Sequence, residues 1–245
     1  MNGRIICGLQ PVREAIRADG SKLSRVLVLE ARSPEASPQL EALARFASDH
    51  GARVERVERS ELDRASRGVR HQGAIAFASE LQVTSLHDVP LDDHTLLVAL
   101  DEIQDPQNFG AVIRSAVAMR ATAVVWPEHR SAPLSAATFR ASAGAIEHAT
   151  LCRVTSLPPA LESLRERGVQ VVGLDANGPG SIDQVDLTVP VAIVVGAEGK
   201  GLRKTVKRAC DTLARLPMPG PIGSLNASVA VAIALYECVR QRGSA

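Results

Sequence analysis

Residues 95–100 read TLLVAL, an unbroken run without a charged side chain. A run of this kind has no polar alternation, so it suits a strand buried on both faces, the condition of a parallel sheet covered by helices. The pattern recurs at residues 123–126 (AVVW), 169–174 (VQVVGL) and 191–195 (VAIVV). Helical stretches are expected between and after these runs, at 110–120, 157–167 and 228–240, with Gly168 as a helix stop. Buried strands alternating with helices imply an α/β domain built on a parallel sheet.

Residues 1–79 follow the same alternation on a smaller scale. Residues 10–18 read as helix and 25–29 (RVLVL) as strand. Residues 38–49 place Leu40, Leu43, Ala44 and Ala47 on one helical face, with Gly51 as the stop. Residues 53–57 alternate like a strand, and 73–78 form another short apolar run. Residues 80–94, with Val89-Pro90 and Asp92-Asp93, read as a linker. The expected organisation is a small α/β domain over 1–79, a linker over 80–94 and a larger α/β domain over 95–245.

The formal net charge is only +1, so any nucleic-acid surface must be a local patch. The first 79 residues hold 13 Lys+Arg against 10 Asp+Glu, which makes that part the better candidate. Aromatic residues make up 2% of the chain, too few for broad stacking platforms, so an RNA partner would be held by backbone and hydrogen-bond contacts. The chain has no run of about 18 apolar residues, and its opening segment meets charge and proline too early for a signal peptide. A cytoplasmic protein with no membrane span is expected. Cys7, Cys152, Cys210 and Cys238 form no CxxC or Cys/His cluster, which points to reduced core thiols and to no metal site.

Ligands of open α/β sheets collect beyond the carboxyl ends of strands. After 95–100 comes DEIQDPQNFG, leading into a small-residue helix that carries Arg114. After 191–195 comes GAEGKG, residues 196–201. It fails the Walker pattern, because Leu202 follows Gly201, and it fails G-x-G-x-x-G, because residue 204 is Lys. Residues 216–237, LPMPGPIGSLNASVAVAIALYE, hold a Pro/Gly loop, then Ser224 and Asn226 where N-caps sit, then an apolar helix. Taken singly, each feature has a structural reading. Asn108 reads as an Asx-turn or cap, Arg114 as a salt-bridge partner, the glycines as a tight turn and Glu198 as a solvated carboxylate. An Arg within an apolar helix also suggests a partly buried guanidinium directed at an anion, on the side of the same helix mouth as Asn108.

In this order, the three segments resemble the motifs of the SpoU/TrmH branch of the SPOUT methyltransferases. Asn108-Phe109-Gly110 with Arg114 matches the first motif, IVVGAEGKGL at 193–202 the second and residues 216–237 the third. CGLQPVREAI at 7–16 and HQGAIA at 71–76 resemble the ends of the family's small RNA-binding domain, similar to ribosomal protein L30e. The resemblance spans nearly the whole chain. It implies a C-terminal trefoil knot, an exception to the rule against knotted chains. It also implies a pocket for S-adenosylmethionine, contacted by the backbone of Gly196, Leu216 and Leu225 and lined by Ser224 and Asn226. Family members are homodimers in which the first-motif Arg works beside the partner's cofactor. The resemblance is greatest to members that methylate a guanosine 2′-hydroxyl in the peptidyl-transferase P loop of 23S rRNA. In the third loop, Pro221-Ile222-Gly223 and Ala227 depart from the family pattern without removing a polar group.

The resemblance makes Arg114, Asn108 and Glu198 the catalytic set. A guanidinium stays protonated and is a poor general base. Arg114 therefore suits a phosphate contact and a developing alkoxide, with Asn108 fixing the ribose or Arg114, and Glu198 orienting substrate or loops. The competing readings are a tRNA ribose methyltransferase, a catalytically silent RNA-binding protein and a metabolic α/β enzyme.

Overall fold

The computed structural model describes residues 3–33, 37–221 and 223–243. The chain divides into two compact units. The first runs up to Gln82 and includes Ser142–His148; the second comprises Val83–Ala141 and Ala149–Ala245.

The first unit holds β1 (Arg4–Cys7), α1 (Leu9–Asp19), β2 (Leu23–Leu29), α2 (Pro38–Asp49), β3 (Val54–Val57), α3 (Arg59–Ser66) and β4 (Ala74–Ala78). Its sheet runs β1-β4-β2-β3, with β2 and β3 parallel and the other pairs antiparallel. The expected face of α2 is the buried one: Leu40, Leu43, Ala44 and Ala47 pack with Val26, Leu27 and Ile75 in one core. Ser37 caps α2 through the Leu40 amide, and Pro38 opens the helix where an N–H is unneeded. Segment Ser142–His148 is tied to this unit by the Arg4–Glu147 ion pair and by His148 Nε2 against Glu14 Oε2 at 3.0 Å. No local sequence signal marks that tie.

The second unit contains β5 (Leu96–Asp101), α4 (Pro106–Ala118), β6 (Ala123–Pro127), α5 (Ala136–Ala141), β7 (Leu151–Val154) and α6 (Leu157–Glu166). It continues with β8 (Gln170–Leu174), β9 (Gly180–Ser181), β10 (Val191–Gly196), α7 (Lys204–Ala209), β11 (Thr212–Arg215) and α8 (Ala227–Gln241). The sheet is parallel throughout, in the order β7-β6-β5-β10-β8-β11-β9. All six residues of β5 and of β10 are buried, as their unbroken apolar runs require. Leu97, Ala99, Ala192 and Val194 join the α6 and α7 side chains in one core layer. Strand residues alternate in direction, so Leu96 and Val98 serve the other face, where α4 and α8 pack. The stretch after Gln82 lies on this unit: Leu86 and Val89 are buried, and Arg167 donates to both of their carbonyls.

Helix α4 begins four residues before the expected start. Asp105 accepts from the Gln107 and Asn108 amides, and Pro106 occupies the first turn, so Asn108 lies inside the helix rather than at its cap. Among the described residues no helix is long and apolar enough to cross a membrane, and no group of three or more His, Cys, Asp and Glu is placed to hold a metal ion.

Candidate active site

Strand order reverses between β5 and β10. From β5 the chain proceeds outward to β6 and β7, while β8, β11 and β9 lie on the other side of β10. Gly196 and Asp101, the last residues of the two central strands, are register partners. Their following loops diverge from this point, which is where open parallel sheets bind ligands.

The loop after β10 is tight. Gly201 N donates to Ala197 O at 2.8 Å, and Gly199 and Gly201 take φ of 75° and 63°. A Cβ on Gly196 would stand 2.1 Å from the Gly201 carbonyl carbon, so only glycine permits this closure. The buried Asp101 carboxylate fixes the exit of the loop. It accepts from Arg203 N at 2.8 Å and Arg203 Nε at 2.7 Å. Glu102 adds a second contact to Arg203, at 3.2 Å. Asp101 was not singled out in the sequence, although a carboxylate ending a buried apolar strand is a usable signal.

A cavity of about 290 Å³ opens beside this loop. Leu174 and Val195 from two strand ends, with Leu216, Leu225 and Ala230, form apolar walls. Gly196, the 197–201 backbone and Ser224 supply polar groups, and Asp175 and Asn177 stand at the end of β8. Lys207 ion-pairs with Asp175. Burial raises the Asp175 pKa, but the Lys207 hydrogen bond, the Asn177 amide and the Lys207 charge outweigh it and hold the carboxyl below its ordinary value. An apolar slot with backbone donors on one side and a fixed carboxylate at one end suits a nucleoside.

The three loops meet through side chains. Asn226 Nδ2 donates to Asn108 Oδ1 at 2.8 Å and lies 3.4 Å from Glu198 Oε2; Asn108 Nδ2 reaches the same carboxylate oxygen at 3.4 Å. Asn226 Oδ1 caps α8, accepting from Ser228 N at 2.9 Å and Ser228 Oγ at 2.6 Å. The cap fixes which way the amide points, so Nδ2 is left to face Asn108 and Glu198. A second cavity, about 210 Å³, lies between Glu102, Gln104, Asp105, Asn108 and the 197–200 loop; it shares Ala197, Glu198 and Lys200 with the first.

Of the cofactor candidates, Gly196, Leu216, Ser224 and Leu225 line the larger cavity, while Asn226 joins the polar set beside it. Ser224 is an exposed loop residue and not a cap. Of the catalytic candidates, Asn108 and Glu198 come together and Arg114 does not. Arg114 is exposed and, among the described residues, makes no hydrogen bond or ion pair, contrary to the expectation of partial burial. Six residues along a helix turn the side chain about 240°, away from the face of Asn108. Within the departing 221–223 stretch, Ile222 lies outside the described residues.

Residues 95–236 match the sequence model of the SpoU rRNA methylase family, and residues 5–84 match that for RNA 2′-O ribose methyltransferase substrate binding. The chain belongs to the SpoU methylase family. Its activity is that of an RNA 2′-O-ribose methyltransferase. A relative from Mycolicibacterium smegmatis, described as an uncharacterized tRNA/rRNA methyltransferase, is 40% identical over 98% of this chain and 77% of its own. The SpoU methyltransferase AviRb from Streptomyces viridochromogenes, solved in complex with the cofactor AdoMet, superposes with a TM-score of 0.79 at 27% identity. That match covers 98% of this chain and 90% of AviRb. An AdoMet-bound rRNA methyltransferase from Sinorhizobium meliloti gives 0.78 at 27% identity, over 97% and 87%.

Proposed function

We propose that the chain transfers a methyl group from S-adenosylmethionine to a guanosine 2′-hydroxyl in the peptidyl-transferase P loop of 23S rRNA, in the cytoplasm and as a homodimer. The observation that carries this reading is the joining of Asn108, Glu198 and Asn226 beside the cavity that opens at the end of β10. Gly196, Leu216, Ser224 and Leu225 would hold the cofactor, with the bare Gly196–Gly201 approach leaving backbone donors at its edge. When bound, the cofactor supplies a methyl group already activated on a sulfonium. The protein's share is to present the hydroxyl oxygen in line and to manage its proton.

Asn108, buried and fixed by two bonds, offers a rigid amide to the ribose. Glu198 borders both cavities and orients the nucleotide against the loop. Arg114 acts in the partner's site, holding a substrate phosphate and stabilising the developing alkoxide. Two observations favour this assignment. The guanidinium is exposed and, among the described residues, has no ionic partner. The neighbouring α8 face shows Val229, Ile233 and Tyr236, 41–58% exposed at near-helical spacing, around a groove shared with Ser115 of α4. An apolar stripe of this kind fits a second copy of the chain. The 197–203 and 216–226 loops around one cavity are read as the family's trefoil knot.

An rRNA substrate is favoured over a tRNA ribose by the separate unit matched for substrate binding. Mapping 2′-O-methyl sites in rRNA and tRNA from cells with and without the gene decides between them. Loss of one methylguanosine from 23S rRNA is expected, and an unchanged rRNA map would sink the reading. For the chemical step, Arg114→Lys is expected to keep turnover and to lose RNA affinity in a salt-sensitive way. Loss of turnover at saturating RNA would instead make the guanidinium the proton acceptor.

A further inference from the structure

The larger cavity has one charged wall, built where β8 and α7 end beside each other. Asp175 directly follows β8, and its side chain is only 10% exposed. A carboxylate so far from water needs compensation. It has two fixed partners. Lys207 of α7 ion-pairs with one oxygen, and Asn177 N donates to the other at 2.9 Å. The backbone around it is locked as well. Asp175 N donates to Ala214 O, and Gly178 N donates to Asp175 O, both at 2.9 Å. Arg215 Nη1 donates to the Gly178 and Pro179 carbonyls at 2.8 and 2.9 Å. A Cβ on Gly178 would stand 2.8 Å from the Ala214 carbonyl carbon, so the turn lies directly against β11.

The pair limits what can bind at this wall. Lys207 already cancels the Asp175 charge, so an ammonium group placed there would meet a like charge beside its partner. A neutral donor meets no such cost. An ionised carboxylate offers about four lone-pair sites. Lys207 and Asn177 take one on each oxygen, which leaves each oxygen an acceptor site. Two adjacent acceptors on one rigid carboxylate match the two hydroxyls of a vicinal diol. Leu174, Val195, Leu216 and Ala230 give the same cavity the apolar walls that a flat base needs.

We propose that Asp175 receives the ribose 2′- and 3′-hydroxyls of the S-adenosyl cofactor, and that Lys207 is the positioning residue that holds Asp175 for this task. The proposal deepens the reading of the larger cavity as the cofactor site and rests on it. Lys207 also keeps the carboxyl ionised. Burial raises the Asp175 pKa, and the Lys207 hydrogen bond, the Asn177 amide and the Lys207 charge bring it below its ordinary value. The other charged side chains lining the cavity are Glu198 and Lys200, both exposed on the loop after β10, while Arg215 of β11 is spent on the turn carbonyls. Without Lys207 the burial is opposed by less, so the carboxyl takes up its proton at higher pH and loses an acceptor.

The test is calorimetric titration of the full chain with S-adenosylhomocysteine, with its 2′,3′-dideoxy analogue and with its deamino analogue. Asp175→Asn is expected to bind S-adenosylhomocysteine and the deamino analogue about tenfold more weakly, the loss of hydrogen bonds to a charged acceptor. It should bind the dideoxy analogue as wild type does. Lys207→Met is expected to bind S-adenosylhomocysteine more weakly, with affinity falling on acidification at a pH where wild type still binds fully. Lys207→Arg should restore both the affinity and the pH profile, which a merely structural role for the lysine would not require. An equal loss for all three ligands would make Asp175 structural, and a loss absent only with the deamino analogue would assign it to the ammonium; either overturns the proposal. So would a Lys207→Met chain with the wild-type pH profile. The titrations contain no RNA, so the choice of RNA substrate does not enter them. A wild-type chain that binds no S-adenosylhomocysteine overturns the cofactor site itself, whereas wild-type binding by Asp175→Asn overturns this proposal alone.

Discussion

Replacing Asn226 by Asp keeps the helix cap and removes the donor that joins the three loops. Asp caps as well as Asn does, but its second oxygen would face Asn108 Oδ1 and the Glu198 carboxylate. The expected outcome is unchanged helix content with methyl transfer at least tenfold lower, because the buried Asn108 oxygen loses its partner at a cost of about 1–3 kcal/mol. Asn226→Ala loses the cap as well, about 1 kcal/mol more. Circular dichroism and turnover on the two variants separate cap from site. The thiols give a second residue-scale prediction. Burial pushes Cys152 up to about 11 and Cys238 up to about 12; for Cys210 burial together with the Asp211 and Asp101 charges does the same, to about 12. Their folded pKa values lie above the ordinary 9.0, so their contribution to stability is complete below that pH. It is lost as pH rises through 9 toward 11–12, when the unfolded thiols ionise first. Chemical denaturation across alkaline pH should show the decline, and alkylation at mildly alkaline pH should be slow until the chain unfolds.

Helices α4 and α8 carry the element-scale arguments. Phe109 is 1% exposed, and its ring meets Trp126 edge-on at 5.3 Å, anchoring the helix that presents Asn108. Phe109→Ala is expected to cost about 3–5 kcal/mol in denaturant unfolding. On α8, Val231, Ala234, Leu235 and Cys238 face the core, while Val229, Ile233 and Tyr236 face outward. A stripe left exposed on a helix that is apolar nearly all round calls for a partner. For the proposed homodimer, Val229→Asp/Ile233→Asp should sediment as a monomer and lose methyl transfer while retaining RNA binding; a dimeric variant would remove α8 from the proposed interface. The start of α4 was legible in principle, since Asp105-Pro106 is a cap followed by a first-turn proline.

At the scale of the whole molecule, two units with separate cores predict two unfolding steps. S-adenosylmethionine at 100 times its Kd should stabilise the second unit by about 2.7 kcal/mol and leave the first unmoved. A calorimetric scan with and without the cofactor checks this, and a shift of both steps together would contradict it. The long buried strands and the amphipathic helices were readable because burial on both faces or on one face writes itself into local periodicity. So were the loops that bear the site, because glycine, proline and capping residues act on their own neighbours. Of the four-residue strands, β3 was read and β1, β7 and β11 were not; the two-residue β9 is too short to show a period. The sequence by itself therefore determined the α/β class, the order of its main elements and the three loops that matter. Only the tertiary structure decided that Asn108, Glu198 and Asn226 touch, that Asp101 pins Arg203, that Arg114 is turned outward and that Ser142–His148 joins the first unit. Those outcomes depend on strand order and on contacts across roughly 30 to 140 residues of chain, where pairing is set by packing the whole sheet and not by any neighbour in sequence.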